Sequence, residues 1–220
     1  MVARAARPLP HAFSLACRVV ALYAPLGPLA RCYVAARLLT APMIAVARHV
    51  PAEGEVLDVG CGWGIFAHVL HLTGPGRRVL GVDVSEKRVA RARRSAAGLA
   101  GLAFEVCKPG SLPALRVPVV AVFDVLHHMT RPEQEQLLLQ AREAMAPGGL
   151  LLVKDLDERP AWKHVYHYTQ DRIVHGLAPV FLRTREGMTA LLESLHLDVQ
   201  TVPLGRFRPY PHVLYLCRGR

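Results

Sequence analysis

An α/β fold on a mostly parallel sheet, with an antiparallel last strand and an N-terminal helical cap, is the architecture this sequence predicts. Three observations carry it. Short apolar runs alternate with helically spaced stretches five times between residues 55 and 153, the pattern of strand–helix–strand units. Glycines crowd the first strand-to-helix turn at Gly60, Gly62 and Gly64, and Asp83 ends the second strand. Two strand-like runs close the chain, residues 197–202 and 212–217, joined by a turn over 205–211. A terminal hairpin added to five parallel strands makes a seven-stranded mixed sheet.

In chain order, residues 1–11 hold two prolines and two arginines and read as a loose tail. Residues 12–49 are apolar with arginines at intervals, broken around Pro25–Pro28 and near Pro42, which predicts two or three short amphipathic helices. Residues 55–59 are a buried strand ended by glycines. The spacing of Ile65, Phe66, Val69 and Leu70 predicts a helix over 62–73, stopped by Gly74-Pro75-Gly76. A second strand covers 78–82, and Ser85 is placed to cap a helix over 86–97. Further strands are expected at 102–106 and 117–124. A helix opens at Pro132-Glu133 and runs to Met145, and after Pro147-Gly148-Gly149 a fifth strand covers 150–153. Helical stretches at 161–175 and 185–195 precede the terminal hairpin. The expected division is a basic helical cap over 1–50 and an α/β domain over 51–220.

The chain has 220 residues, 52% hydrophobic and 20% charged, enough apolar surface for a core and too much for intrinsic disorder. Its formal charge of +10 is unevenly placed: residues 1–52 carry six arginines and no acid, whereas 53–150 carry 11 bases and 10 acids. Five cysteines form no CxxC pair and leave an odd one over, against a disulfide framework or a zinc site, so no metal is expected. The charge-free stretch over 19–30 is 12 residues and holds two prolines, short of the roughly 18 that a spanning helix needs. Arg18 interrupts the apolar run a signal peptide requires, and a cytoplasmic setting is the expectation.

The chemistry lies in Val56-Leu57-Asp58-Val59-Gly60-Cys61-Gly62-Trp63-Gly64, with Asp83-Val84 after the next strand. Glycines at such a turn let the backbone approach a nucleotide-like ligand, and an acid at the second strand tip can accept from ribose hydroxyls. The spacing is GxGxG: the third glycine of a dinucleotide fingerprint would fall at position 65, which is Ile65. That departure, with the terminal hairpin, argues against a nicotinamide oxidoreductase.

VLDVGCGWG, then GVDVS, then the hairpin, resembles the class I S-adenosylmethionine-dependent methyltransferases, a Rossmann-like family, well over residues 50–156 and in outline beyond. The resemblance implies S-adenosylmethionine as cofactor. It assigns Gly60, Gly62 and Gly64, with Cys61 between them, to its amino-acid part, Asp58 to its ammonium group, and Asp83 with Val84 to the ribose. Phe123-Asp124-Val125-Leu126-His127-His128 resembles the fourth-strand segment facing cofactor and acceptor, which puts Asp124 in the cofactor shell. Many relatives carry Gly-Asp after strand three to meet the adenine amino group. Cys107-Lys108 stands there, and a lysine cannot accept that hydrogen bond.

His127 and His128 follow the fourth strand, where open parallel sheets place ligands, and are the candidate catalytic bases. Trp162, Tyr166 and Tyr168, with His127, are the candidate acceptor wall. The charge run from Lys154 to Arg159 reads as a solvated strand end, and Arg88, Arg91, Arg93 and Arg94 as a solvated helix face. The N-terminal block reads as a cap packed on the sheet with arginines outward, and an anionic membrane could hold it instead. The expected function is methyl transfer, to oxygen, on a small, lipid-like or carrier-bound acceptor. A non-catalytic cofactor-binding subunit and a nucleic-acid methyltransferase are the alternatives. Against the second, no RNA-binding module or repeated aromatic–basic pattern stands in the chain.

Overall fold

The computed structural model describes residues 12–158, 180–204 and 211–220. Seven strands form one sheet in the order β3-β2-β1-β4-β5-β7-β6. They are β1 (Glu53–Val59), β2 (Gly76–Asp83), β3 (Leu102–Val106), β4 (Val117–Phe123), β5 (Met145–Leu156), β6 (Leu197–Leu204) and β7 (His212–Gly219). β1 to β5 pair in parallel, and β7 lies antiparallel between β5 and β6. The expected mixed sheet with an antiparallel last strand is the fold observed. The predicted helix at 161–175 and most of the final turn lie outside the described residues.

The helices are α1 (Ala12–Leu22), α2 (Pro28–Thr40), α3 (Met43–Ala47), α4 (Ile65–Thr73), α5 (Glu86–Ser95), α6 (Arg131–Glu143) and α7 (Arg185–Ser194). Strand alternation explains their distribution. On β4, Val119, Ala121 and Phe123 enter the core shared with α1 to α5, while Val120 and Val122 enter the one shared with α6 and α7. Local chemistry sets the ends. Ser85 Oγ accepts from Arg88 N at 3.4 Å, and Glu133 reaches back to Thr130 N at 2.7 Å to start α6 with Pro132 in its first turn.

One strand boundary differs from the sequence reading. β5 begins at Met145, not at 150, because Met145 pairs with Val117 and the register then shifts before Val119 meets Leu150. The Pro147-Gly148-Gly149 turn is an irregularity inside that pairing, with Gly148 at φ 71°.

The N-terminal helices pack on the α4–α5 face of the sheet. Leu15, Val19 and Tyr23 are fully buried, each contributing about 2 kcal/mol from apolar area removed from water. The Tyr23 hydroxyl donates to Trp63 O at 2.7 Å, which ties the end of α1 to the glycine turn. Arg77, only 4% exposed, donates to the carbonyls of Ala47, Val50, Pro51 and Leu70 and so pins the α3–β1 linker to α4. No helix among the described residues is long and apolar enough to cross a membrane.

Candidate functional site

The glycine turn leaves β1 through two left-handed residues, Gly60 (φ 70°) and Gly62 (φ 56°), conformations that side chains resist. A Cβ on Gly60 would lie 2.4 Å from Val125 Cγ2, so that glycine is required by packing; Gly62 faces open space. Gly64 caps α4 and packs on Phe104. The turn is clamped from the second strand. Gly60 N and Cys61 N donate to Val82 O at 2.8 and 2.9 Å, and Gly62 N donates to Asp83 Oδ2 at 2.9 Å. Asp83 Oδ1 accepts from Ser85 N at 2.8 Å, so one buried carboxylate fixes both the glycine turn and the entry to α5.

A cavity opens over the C-terminal ends of β1 and β4, where open parallel sheets place ligands. Its described lining brings together Asp58, Gly60, Cys61, Gly62, Asp124, His127 and His128 from sites 70 residues apart in sequence. Gly64, Asp83 and Val84 stand outside that lining, with Val84 exposed behind Asp83. Lys108 is exposed, and neither it nor Cys107 lines the cavity. Trp162, Tyr166 and Tyr168 lie outside the described residues.

Asp58 is 1% exposed, and its Oδ2 has no hydrogen-bond partner. Burial, then the charge of Asp83, pushes its carboxyl up to about 8. A buried oxygen of this kind calls for a cationic or donor partner from the cavity. That demand, with the open space at Gly62, fits the amino-acid end of S-adenosylmethionine. Cys61 is half-buried, and burial pushes its thiol well above the ordinary range, which disfavours the thiolate.

The opposite wall is a network of charges. Asp124 sits at φ 56°, rare for a residue with a side chain, and the surrounding contacts hold it there. Its carboxylate pairs with Lys154 Nζ from β5 and with Arg37 Nη2 from α2, the latter at 2.9 Å. Against the cost of burial, these two cations hold the Asp124 carboxyl far below the usual carboxylate range. His127 Nδ1 lies 2.5 Å from Asp155 Oδ1, and its backbone N–H donates to Asp155 Oδ2 at 3.2 Å. This orients the ring and favours the tautomer whose Nδ1–H donates to the carboxylate, with the basic nitrogen at Nε2. Burial lowers the affinity of the imidazole for a second proton, but the Asp155 charge and hydrogen bond outweigh it, and the pKa is raised.

Asp124, His127 and Asp155 bring three ligand-type atoms within 4.8 Å of one another. Asp124 is already neutralised by two cations, and Asp155 accepts from the imidazole and from the Leu156 N–H.

Three parts of this wall differ from the sequence reading. Lys154 and Asp155 are 0% and 4% exposed, not a solvated strand end. Arg37 turns inward from the cap. Of the α5 arginines, Arg88 lines the cavity, whereas Arg91, Arg93 and Arg94 are exposed as expected, with Arg91 stacked 4.7 Å over Trp63, Arg93 Nε donating to Phe104 O and Arg94 donating to Pro25 O. Tyr33, Thr40 and Met43 of the cap complete the roof, and His212 Nε2 meets Thr40 O at 3.0 Å. The one signal in the sequence for Asp155 was its place two residues past a fully apolar strand run.

Residues 56–149 match the model of a family described as a methyltransferase domain. A trans-aconitate 2-methyltransferase of Paracidovorax citrulli is 33% identical over 131 residues, 57% of this chain and 48% of that protein. A malonyl-[acyl-carrier protein] O-methyltransferase of Methylococcus capsulatus is 25% identical over 183 residues, 80% of this chain and 64% of that protein. The chain spans about half the length of the curated relatives it matches. Among solved structures, an S-adenosylmethionine-dependent methyltransferase from Mesorhizobium loti superposes with a TM-score of 0.62 at 22% identity, covering 79% of this chain and 95% of that one, a likeness of fold.

Proposed function

We propose that the domain marked out by residues 56–149 is a class I S-adenosylmethionine-dependent methyltransferase, and that the chain methylates an oxygen of a small, lipid-like or carrier-bound acceptor; the match to a methyltransferase domain and the similarity to a trans-aconitate 2-methyltransferase support the reading. The observation that carries the reading is the buried, unpartnered oxygen of Asp58 facing a cavity whose far wall holds the His127–Asp155 pair. When bound, the cofactor supplies an electrophilic methyl group on a sulfonium centre.

The chain's own residues do the rest. Asp58 accepts from the ammonium end, and Gly60 and Gly62 admit close backbone approach beside it. Asp83 keeps the turn in place and has lone pairs beyond those used by Gly62 and Ser85 for ribose hydroxyls. Asp124, neutralised by Lys154 and Arg37, stiffens the wall between cofactor and acceptor. A hydroxyl acceptor gives its proton to His127 Nε2 while Asp155 stabilises the imidazolium; a carboxylate acceptor needs no base. Alignment of the acceptor oxygen with the carbon–sulfur bond then provides much of the acceleration. Arg37, Arg88 and His128 line the same cavity and favour an anionic acceptor. Two of the similar proteins are named for acids, trans-aconitate and a malonyl group, which supports the same choice. Trp162, Tyr166 and Tyr168 belong to this proposal as acceptor-side residues, and a cytoplasmic setting belongs to it as well.

Calorimetric titration with S-adenosylmethionine, with NADH in parallel, tests the cofactor half. Binding of the first alone is expected; binding of NADH alone, or of neither, sinks the reading. Turnover is then read with apolar acids and hydroxylated lipids as acceptors. Transfer confined to nitrogen or carbon acceptors would refute the oxygen assignment.

A further inference from the structure

The cap exposes what a globular surface usually hides. Phe13 on α1 is 82% exposed, and Leu29 and Leu39 on α2 are 86% and 78% exposed. These are not scattered positions. On α1 the exposed arc runs through Phe13, Cys17 and Ala21, with Arg18 at its edge; on α2 it runs through Leu29, Cys32, Ala36 and Leu39, with Arg31 at its edge. The opposite arcs hold Leu15, Val19, Val34 and Leu38, which are buried against the domain. Each helix therefore has two apolar arcs, one committed to the core and one turned to the outside.

The charge around the outer arcs has one sign. Arg18, Arg31 and Arg48 are exposed, and no acidic residue occurs before Glu53. The basic row of α5 continues the patch, because Lys87, Arg91 and Arg94 share one exposed stripe and Arg94 Nη2 donates to Pro25 O at the bend between α1 and α2. A partner for this face must accept apolar side chains at its centre and supply negative charge at its rim.

We propose that the outward face of the α1–α2 cap docks the protein on an anionic lipid bilayer. Phe13, Leu29 and Leu39 enter the boundary between headgroups and acyl chains, and Arg18, Arg31 and the α5 row meet lipid phosphates. Two short helices with three large apolar side chains between them insert only shallowly, so attachment is reversible and needs both the apolar and the electrostatic part. The face lies back to back with the cavity. Tyr33, Arg37 and Thr40, on the inner side of α2, line the space above Asp124. A docked cap therefore puts the membrane surface one helix away from the proposed acceptor site.

Flotation of the full chain with vesicles tests this independently of catalysis. The protein is expected to float with mixed phosphatidylcholine–phosphatidylglycerol vesicles at low salt, and to stay behind with phosphatidylcholine alone. Phe13→Asp/Leu29→Asp/Leu39→Asp should lower the partition coefficient at least about tenfold. Arg18→Ala/Arg31→Ala should lower it roughly fivefold per charge. Circular dichroism and the S-adenosylmethionine titration of each variant read folding separately. Failure to float, or flotation unchanged in the triple variant, overturns the proposal. So does capture of polyuridylate in place of vesicles, or a dimer that Leu29→Asp dissociates in a chain with no affinity for lipid.

Discussion

Asp58→Asn should make the ligand-free protein more stable while weakening its hold on the cofactor, and the pH dependence of the gain is specific to this residue. Asparagine reproduces the protonated carboxyl in shape and charge. In the unfolded chain the Asp58 carboxyl ionises near its ordinary value of 3.8, whereas in the fold burial and then Asp83 delay ionisation to about 8. Between those values the unfolded chain has released a proton that the folded chain still holds, so stability falls as pH rises, by about 1.4 kcal/mol per pH unit. From pH 4 to pH 7 the loss is about 4 kcal/mol, and the variant does not incur it. For a chain of this size that corresponds to a melting temperature higher by about 8–16 °C at pH 7, shrinking toward zero near pH 4. Every other titrating group is common to both proteins, so the difference between their melting curves isolates position 58. Thermal melts at half-unit pH steps without ligand measure it. Saturating S-adenosylmethionine should then stabilise the wild type and barely move the variant, and wild-type binding at pH 7 should release up to one proton into the buffer. Parallel curves of melting temperature against pH for the two proteins would refute the buried, unpartnered carboxylate.

Three further outcomes are expected. Asp155→Asn removes the charge that raises His127, leaving burial to act alone; the acid limb of the kcat/KM profile, which lies above 6.5 because the imidazole must lose its second proton, should move to lower pH, and an unmoved limb removes His127 as the base. Lys154→Met strips Asp124 of its buried cation and should cost about 3–5 kcal/mol in urea unfolding, with Lys154→Met/Asp124→Asn recovering most of it; a loss under about 1 kcal/mol would show that Arg37 suffices. Arg77→Met leaves the carbonyls of Val50 and Pro51 without their buried donor and should cost about 2 kcal/mol or more, read as a lower melting temperature with cofactor affinity little changed.

The strands were legible in the sequence because their places along the chain follow from local signals: apolar runs, glycine-ended turns and helical spacing between them. Gly60 and Gly62 were legible as candidates for the same reason, standing at the end of a strand, and Asp58 and Asp124 through the family resemblance. What the sequence hid was partnership. Lys154 and Asp155 look like a solvated strand end until β4 and β7 close on either side of β5, where Asp124 and His127 lie about 30 residues away in the chain. Arg37 is one of six similar arginines in a block free of acids, and nothing local says that it reaches 87 residues forward to Asp124. The start of β5 was hidden differently, since a Pro-Gly-Gly turn that ends many strands is here absorbed as a register shift.

Asp124 is where these hidden partnerships meet, and it says how the cap is held. Lys154 neutralises it from below inside the sheet; Arg37, with its side chain 36% exposed, closes on it from the cap. A half-exposed pair of that kind is worth about 1 kcal/mol or less, so it cannot be what anchors the N-terminal helices. The anchor is apolar, through Leu15, Val19, Tyr23 and Val34, all without exposed surface, and through Arg77 at the α3–β1 linker. The cap is thus fixed by apolar burial along α1 and α2 and by Arg77 at the end of α3, and the Arg37–Asp124 pair adds little to that hold where α2 crosses the cavity.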